Sequence, residues 1–122
     1  MARSVRIAGL AATAALGMLF SAPPASAADV IAVVYVNGAK AGSGMSYNYS
    51  TTVQACDVRA DGLGVRTWYI TSKGLRDYVG DANGSSDGCG SERPADGGSI
   101  DQFKVCAGPI GSETCSAWKR GY

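Results

Sequence analysis

Four cysteines and not one histidine constrain this chain of 122 residues more than any other feature. Cys56, Cys89, Cys106 and Cys115 show no C-x-x-C spacing. Zinc sites are built from Cys and His at short fixed intervals, so both the spacing and the missing imidazole argue against a metal. An even cysteine count in a short chain reads instead as two disulfides, provided that the chain leaves the reducing cytoplasm.

The first 27 residues supply that condition. Arg3 and Arg6 precede an apolar run from Ile7 to Phe20, and Pro23, Pro24 and the small triplet Ala25-Ser26-Ala27 follow it. Positive end, greasy centre and A-x-A close are the order of a cleavable export signal of a bacterial secretory precursor. The run falls short of the roughly 20 residues that span a bilayer. Cleavage between Ala27 and Ala28 is expected, leaving 28–122 as one domain, secreted to the extracellular side and free of the membrane. No cysteine follows the cut to carry a lipid, and the arginines are not a twin pair.

Charge excludes one class of partner. The full chain has 11 basic and 10 acidic residues, and the signal removes two of the basic ones. No positive stripe remains to release counterions from a phosphate backbone, so a nucleic-acid partner is not expected. A mature chain of about 95 residues builds one modest core, for which disulfides are the usual reinforcement.

The elements are strands. Helical periodicity is absent and Gly recurs too often for a long helix. Val30 to Val36 is the most apolar run, expected to be a central strand buried on both faces, and Asn37-Gly38 ends it in a turn. Met45 to Ser50 alternates, with Met45, Tyr47 and Tyr49 on one face. Thr52 to Arg59 carries Cys56. In Val65 to Thr71, Val65, Thr67 and Tyr69 share one face and Arg66, Trp68 and Ile70 the other. Leu75 to Val79 is a short strand, Gly80 to Gly98 a long irregular segment, and Ser99 to Cys106 with Thr114 to Lys119 a closing hairpin. An all-β chain of about seven short strands predicts a small two-sheet antiparallel sandwich, immunoglobulin-like, with a small β-barrel as the alternative.

Three disulfide connectivities are possible. A hairpin register that sets Cys106 opposite Cys115 also sets Val105 opposite Ser116 and Phe103 opposite Trp118, and an aromatic cross-strand pair favours that register. Cys106–Cys115 is therefore expected, leaving Cys56–Cys89 to tether the irregular segment.

Few residues suggest catalysis. Without His, triads of the Ser-His-Asp and Cys-His kinds are excluded. Ser116 and Lys119 have S-x-x-K spacing, but on a strand two residues three apart face opposite ways. Asp57, Asp61, Asp77 and Asp81 read as turn formers rather than paired catalytic carboxylates. Asp81, Asn83, Ser85 and Asp87 with Glu92 echo the oxygen spacing of a calcium loop, a weak alternative to ordinary turn chemistry. No cofactor and no metal are expected. Tyr47, Tyr49 and Trp68, with the 80–98 segment, are the candidate binding face.

The segments "QACDVRADGLGVRTWY", "VGDANGSSDGCG" and "FKVCAGPIGSETCSAWKRGY" resemble small four-cysteine exported proteins of actinobacteria, a likeness that covers the mature chain and implies a two-disulfide β fold. "DANGS" (81–85) and the close Cys106–Cys115 spacing are similar to neocarzinostatin-type chromoproteins, immunoglobulin-like sandwiches that hold an enediyne, although the second local cysteine pair of that family is missing. "RTWY" (66–69) shares residue types with the contact segment of tendamistat-type amylase inhibitors in a different order. The function expected from these readings is a monomeric, non-enzymatic binding or inhibitor-like module for a protein or carbohydrate. A small carboxylate-dependent hydrolase and a structural cell-envelope protein are the alternatives.

Overall fold

The computed structural model describes residues 28–60, 62–81 and 86–122. The export signal with its Ala27 junction, Asp61, Asn83 and Ser85 lie outside the described residues. Among the described residues nine strands run in the order β1 (Val30–Val36), β2 (Ala39–Tyr47), β3 (Thr52–Asp57), β4 (Val65–Thr71), β5 (Arg76–Gly80), β6 (Gly90–Glu92), β7 (Ile100–Ala107), β8 (Thr114–Cys115) and β9 (Lys119–Arg120). One antiparallel sheet has the order β1-β2-β3-β6; the other has β5-β4-β7-β8, with β9 also on β7. The chain is the expected all-β two-sheet sandwich rather than a closed barrel. With β1 counted as an extra N-terminal strand, β2-β3-β6 against β5-β4-β7-β8 is the A-B-E and C′-C-F-G strand order of the expected immunoglobulin-like sandwich, the chain crossing sheets between β3 and β4.

Alternation builds the core. Ala32, Val34, Val53 and Ala55 face inward from one sheet, and Val65, Tyr69, Ile100, Phe103 and Val105 from the other. Gly42 and Gly44 keep the inner face of β2 bare, because a Cβ at either position would press on Val65 or Thr67. That close approach lets the buried Thr67 hydroxyl donate to the Gln54 carbonyl of β3 at 2.8 Å. A core polar group is thus satisfied by the opposite sheet's backbone.

Both disulfides join the expected partners. Cys56–Cys89 ties β3 to the segment leading into β6, and Cys106–Cys115 joins directly opposed residues of β7 and β8. The segment 80–98 is not irregular throughout, since β6 pairs with β3 from Val53↔Glu92 to Ala55↔Gly90.

Three expectations are corrected. First, β1 is an edge strand, not a central one: Ala32 and Val34 are buried, but Ile31 and Tyr35 are more than half exposed. An apolar run states that a strand has apolar residues on both faces, not that both faces are covered. Second, the alternation expected for Met45 to Ser50 stops at Tyr47. Asn48, Tyr49 and Ser50 all have positive φ, between 53° and 63°. This left-handed turn is costly for residues with a Cβ. Ser50 helps to hold it, its carbonyl accepting from Ile100 N–H at 2.7 Å and its hydroxyl donating to Gly121 O at 2.6 Å.

Third, Phe103 faces Lys119 rather than Trp118. The register Cys106↔Cys115 slips by one residue before Gln102↔Arg120. The cause is local. Ser116 N–H donates to Val105 O at 2.8 Å, but Val105 N–H donates to the Ser116 hydroxyl at 3.1 Å, where a ladder would use a main-chain carbonyl. The extra residue is accommodated as a bulge, and Trp118 leaves the ladder.

Candidate functional site

The outer face of the second sheet carries the site. Its register aligns Trp68 of β4 with Tyr78 of β5 on one side and Lys104 of β7 on the other; Ile70 is aligned with Arg76 and Gln102 in the next row. Since Thr67, Tyr69 and Thr71 turn inward, Trp68 and Ile70 must turn out. The Trp68 ring lies against Tyr78, centroids 4.7 Å apart and planes tilted by 50°.

Residues 108–113 fold back over this face. Arg66 Nη1 donates to Gly108 O at 2.6 Å and to Glu113 Oε2 at 2.5 Å, and Trp68 Nε1 donates to the same Glu113 oxygen at 2.9 Å. The Arg66 and Glu113 side chains are only 14% and 13% exposed, so this is a sheltered, charge-assisted set of bonds. Cys106–Cys115 closes the base of the same turn. Together these fix the orientation of Trp68.

Trp118, released by the bulge, packs its ring against Lys104, whose Nζ lies 4.9 Å from the ring centroid. That is cation–π distance. The result is a groove of about 380 Å³ lined by Trp68, Ile70, Arg76, Lys104, Ile110, Glu113 and Trp118, with the Tyr69 backbone position beneath. Its volume lies within the usual range for small-ligand sites. Among the described residues one cluster, Cys106, Glu113 and Cys115, brings ligand-type atoms close enough for a metal. Its two sulfurs are bonded to each other and its carboxylate to Arg66 and Trp68, which leaves no ligand set.

The sequence candidates do not converge. Tyr47 lies in the first sheet and Tyr49 in the turn after it, 71% exposed, whereas Trp68 belongs to the outer face of the second sheet. Of the calcium candidates, Asp81 Oδ2 accepts from Asp57 N–H at 2.8 Å, at one end of β3. Glu92 pairs with Val53 near the other end and accepts from the Tyr69 hydroxyl. Four residues of strand separate those two points, on the order of 13 Å. Asp87 is exposed beside Cys89. Ser116 and Lys119 also part company: the Ser116 hydroxyl donates to Ala117 O, and Lys119 Nζ donates across to Ile31 O. Of the expected turn formers, Asp57 accepts from Arg59 N–H two residues on, whereas Asp77 sits inside β5 opposite Tyr69 and forms no turn, because the ladder with β4 claims it.

Sequence reading found Trp68 and missed Trp118, Lys104, Arg76, Ile110 and Glu113. The alternation of Phe103, Val105 and Ala107 into the core was a usable sign that Lys104 turns outward. Nothing in the pattern announced the bulge at Ser116. No protein-family model, no curated protein and no solved structure matches the chain.

Proposed function

We propose that this protein is a secreted, non-catalytic binding module that holds its ligand in the groove on the outer face of β5, β4 and β7. One observation carries the reading: two tryptophans line one groove on the solvent side of a sheet, each held by a side-chain partner before any ligand arrives. The outer face of a sandwich is ordinarily polar. Here Trp68 is held by Glu113 and Tyr78, and Trp118 by Lys104. Such preorganisation lowers the entropy cost of binding.

The groove does not favour the hydrolase alternative. Among the described residues Glu113 is its single carboxylate, and Arg66 and Trp68 already occupy the oxygen that they share. A glycosidase needs a second carboxylate at a working separation. A library of small soluble fragments, screened by two-dimensional amide NMR, tests the assignment. Hits are expected to shift the Trp118 indole resonance first. Hits gathered on Ile31, Tyr35 and Tyr47 of the opposite face would overturn it.

A further inference from the structure

Resting on that groove as the binding site, we infer that its ligand is a small free amphiphilic carboxylate: one anionic group beside a flat or branched apolar body. Charge gives the first argument. Arg76 lies on one side of β4 and Lys104 on the other, both line the groove, and neither forms an ion pair among the described residues. The one carboxylate present, Glu113, is neutralised by Arg66. The groove therefore offers two cations and no free negative charge, in a chain whose charges otherwise almost balance. A carboxylate between them gains charge-assisted hydrogen bonds.

The lining gives the second argument. Trp118 is 41% exposed and Ile110 57% exposed. With Trp68 and Ile70 they present rings and branched chains to the space between the cations. Among the described residues no Asn, Gln, Ser or Thr lines it, so apart from the two cations and the Arg66-bound Glu113 the lining is apolar.

The backbone gives the third. Peptides commonly bind sheets by adding a strand to a free edge. The floor here is β4, paired with β5 on one side and β7 on the other, so its N–H and C=O groups are already spent. Recognition at the floor must come from side chains, which suits a small molecule better than a chain.

The test uses the oxidised protein and four probes: 3-phenylpropionate, its neutral amide, phenethylammonium and a blocked Asp-Phe-Asp tripeptide. Each is titrated by NMR while the two indole N–H resonances are followed. The carboxylate is expected to bind about tenfold more tightly than the amide, with the ammonium weakest. The double variant Lys104→Met, Arg76→Met, its fold checked by the same spectrum, should bring carboxylate and amide level. Equal binding of carboxylate and amide by the native protein overturns the anion inference and leaves the groove standing. A tripeptide tighter than the free acid overturns the small-molecule assignment. No response of the Trp118 indole to any probe overturns both the inference and the groove.

Discussion

The Tyr69 hydroxyl of β4 donates to Glu92 Oε2 of β6 at 2.5 Å, a side-chain bond that joins one sheet to the other. Tyr69 is 1% exposed, and burial first, then the Glu92 carboxylate, push its phenol above the ordinary tyrosine range. A raised value means that the folded state favours the protonated phenol. The associated stability is complete below the unfolded value of about 10 and is lost as pH climbs toward the folded one. The urea midpoint should therefore fall above about pH 10 in the native protein. Tyr69→Phe should cost about 1–3 kcal/mol at neutral pH, because Glu92 loses its donor, and should weaken the alkaline loss. Equal alkaline sensitivity in both proteins would assign the loss to other groups.

Gly121 should be intolerant of any side chain. It is buried, and a Cβ there would run into the Ile100 carbonyl. Its own carbonyl accepts from the Ser46 and Ser50 hydroxyls, at 2.7 and 2.6 Å. Gly121→Ala is expected to cost more than about 2 kcal/mol, against about 1 kcal/mol for Ser46→Ala, which removes one of the two donors. Thermal unfolding of the two variants side by side checks the order.

The two disulfides should differ in what they stabilise. Their sequence separations are 33 for Cys56–Cys89 and 9 for Cys106–Cys115. By chain entropy alone they contribute about 4 and about 2.5 kcal/mol. Replacing Cys56 and Cys89 by Ala should lower the urea midpoint further. Replacing Cys106 and Cys115 should loosen the turn that carries Glu113, and so weaken probe binding at the groove more than it weakens the fold. Identical effects on binding would show that the turn holds its shape without the bridge.

Trp68 and Trp118 share the groove and should separate on stability. Trp68 is half-buried, with its N–H bonded to Glu113 and its ring on Tyr78. Trp68→Ala is expected to cost about 2–4 kcal/mol. Trp118→Ala, with a 41% exposed ring, should cost under about 1 kcal/mol while reducing probe binding strongly. Chemical denaturation and NMR titration of the two single variants measure both quantities.

Strand alternation was the most legible part of this sequence. The inward set Val65, Thr67 and Tyr69 follows from period two, and the opposition of Cys106 and Cys115 followed from a hairpin register that needed little beyond cross-strand pairing. What stayed hidden depended on choices that residue type does not record. Trp118 was set across from Phe103 because an unbroken ladder was assumed, and the slip turns on whether Val105 N–H meets a carbonyl or the Ser116 hydroxyl, two acceptors of similar strength. The left-handed run Asn48-Tyr49-Ser50 has no glycine to mark it; long-range bonds from Ile100 and to Gly121 help to hold it. Tyr47, Tyr49 and Trp68 looked like one platform because sheet membership is a property of topology, and alternation within a strand carries no information about it.

β7 lies between β4 and the two short closing strands, and it brings Ile100, Phe103 and Val105 to the core. In the chain it follows β1 to β6. Without it, β4 and β5 amount to a hairpin with both edges bare, and a lone hairpin in water is marginal. The four strands of the other sheet then have only that hairpin to pack against. Ile100, Phe103 and Val105 reach the core only with β7, so the two sheets cannot close over one another before it docks. Cooperative structure is gained in one step, when β7 takes its place beside β4.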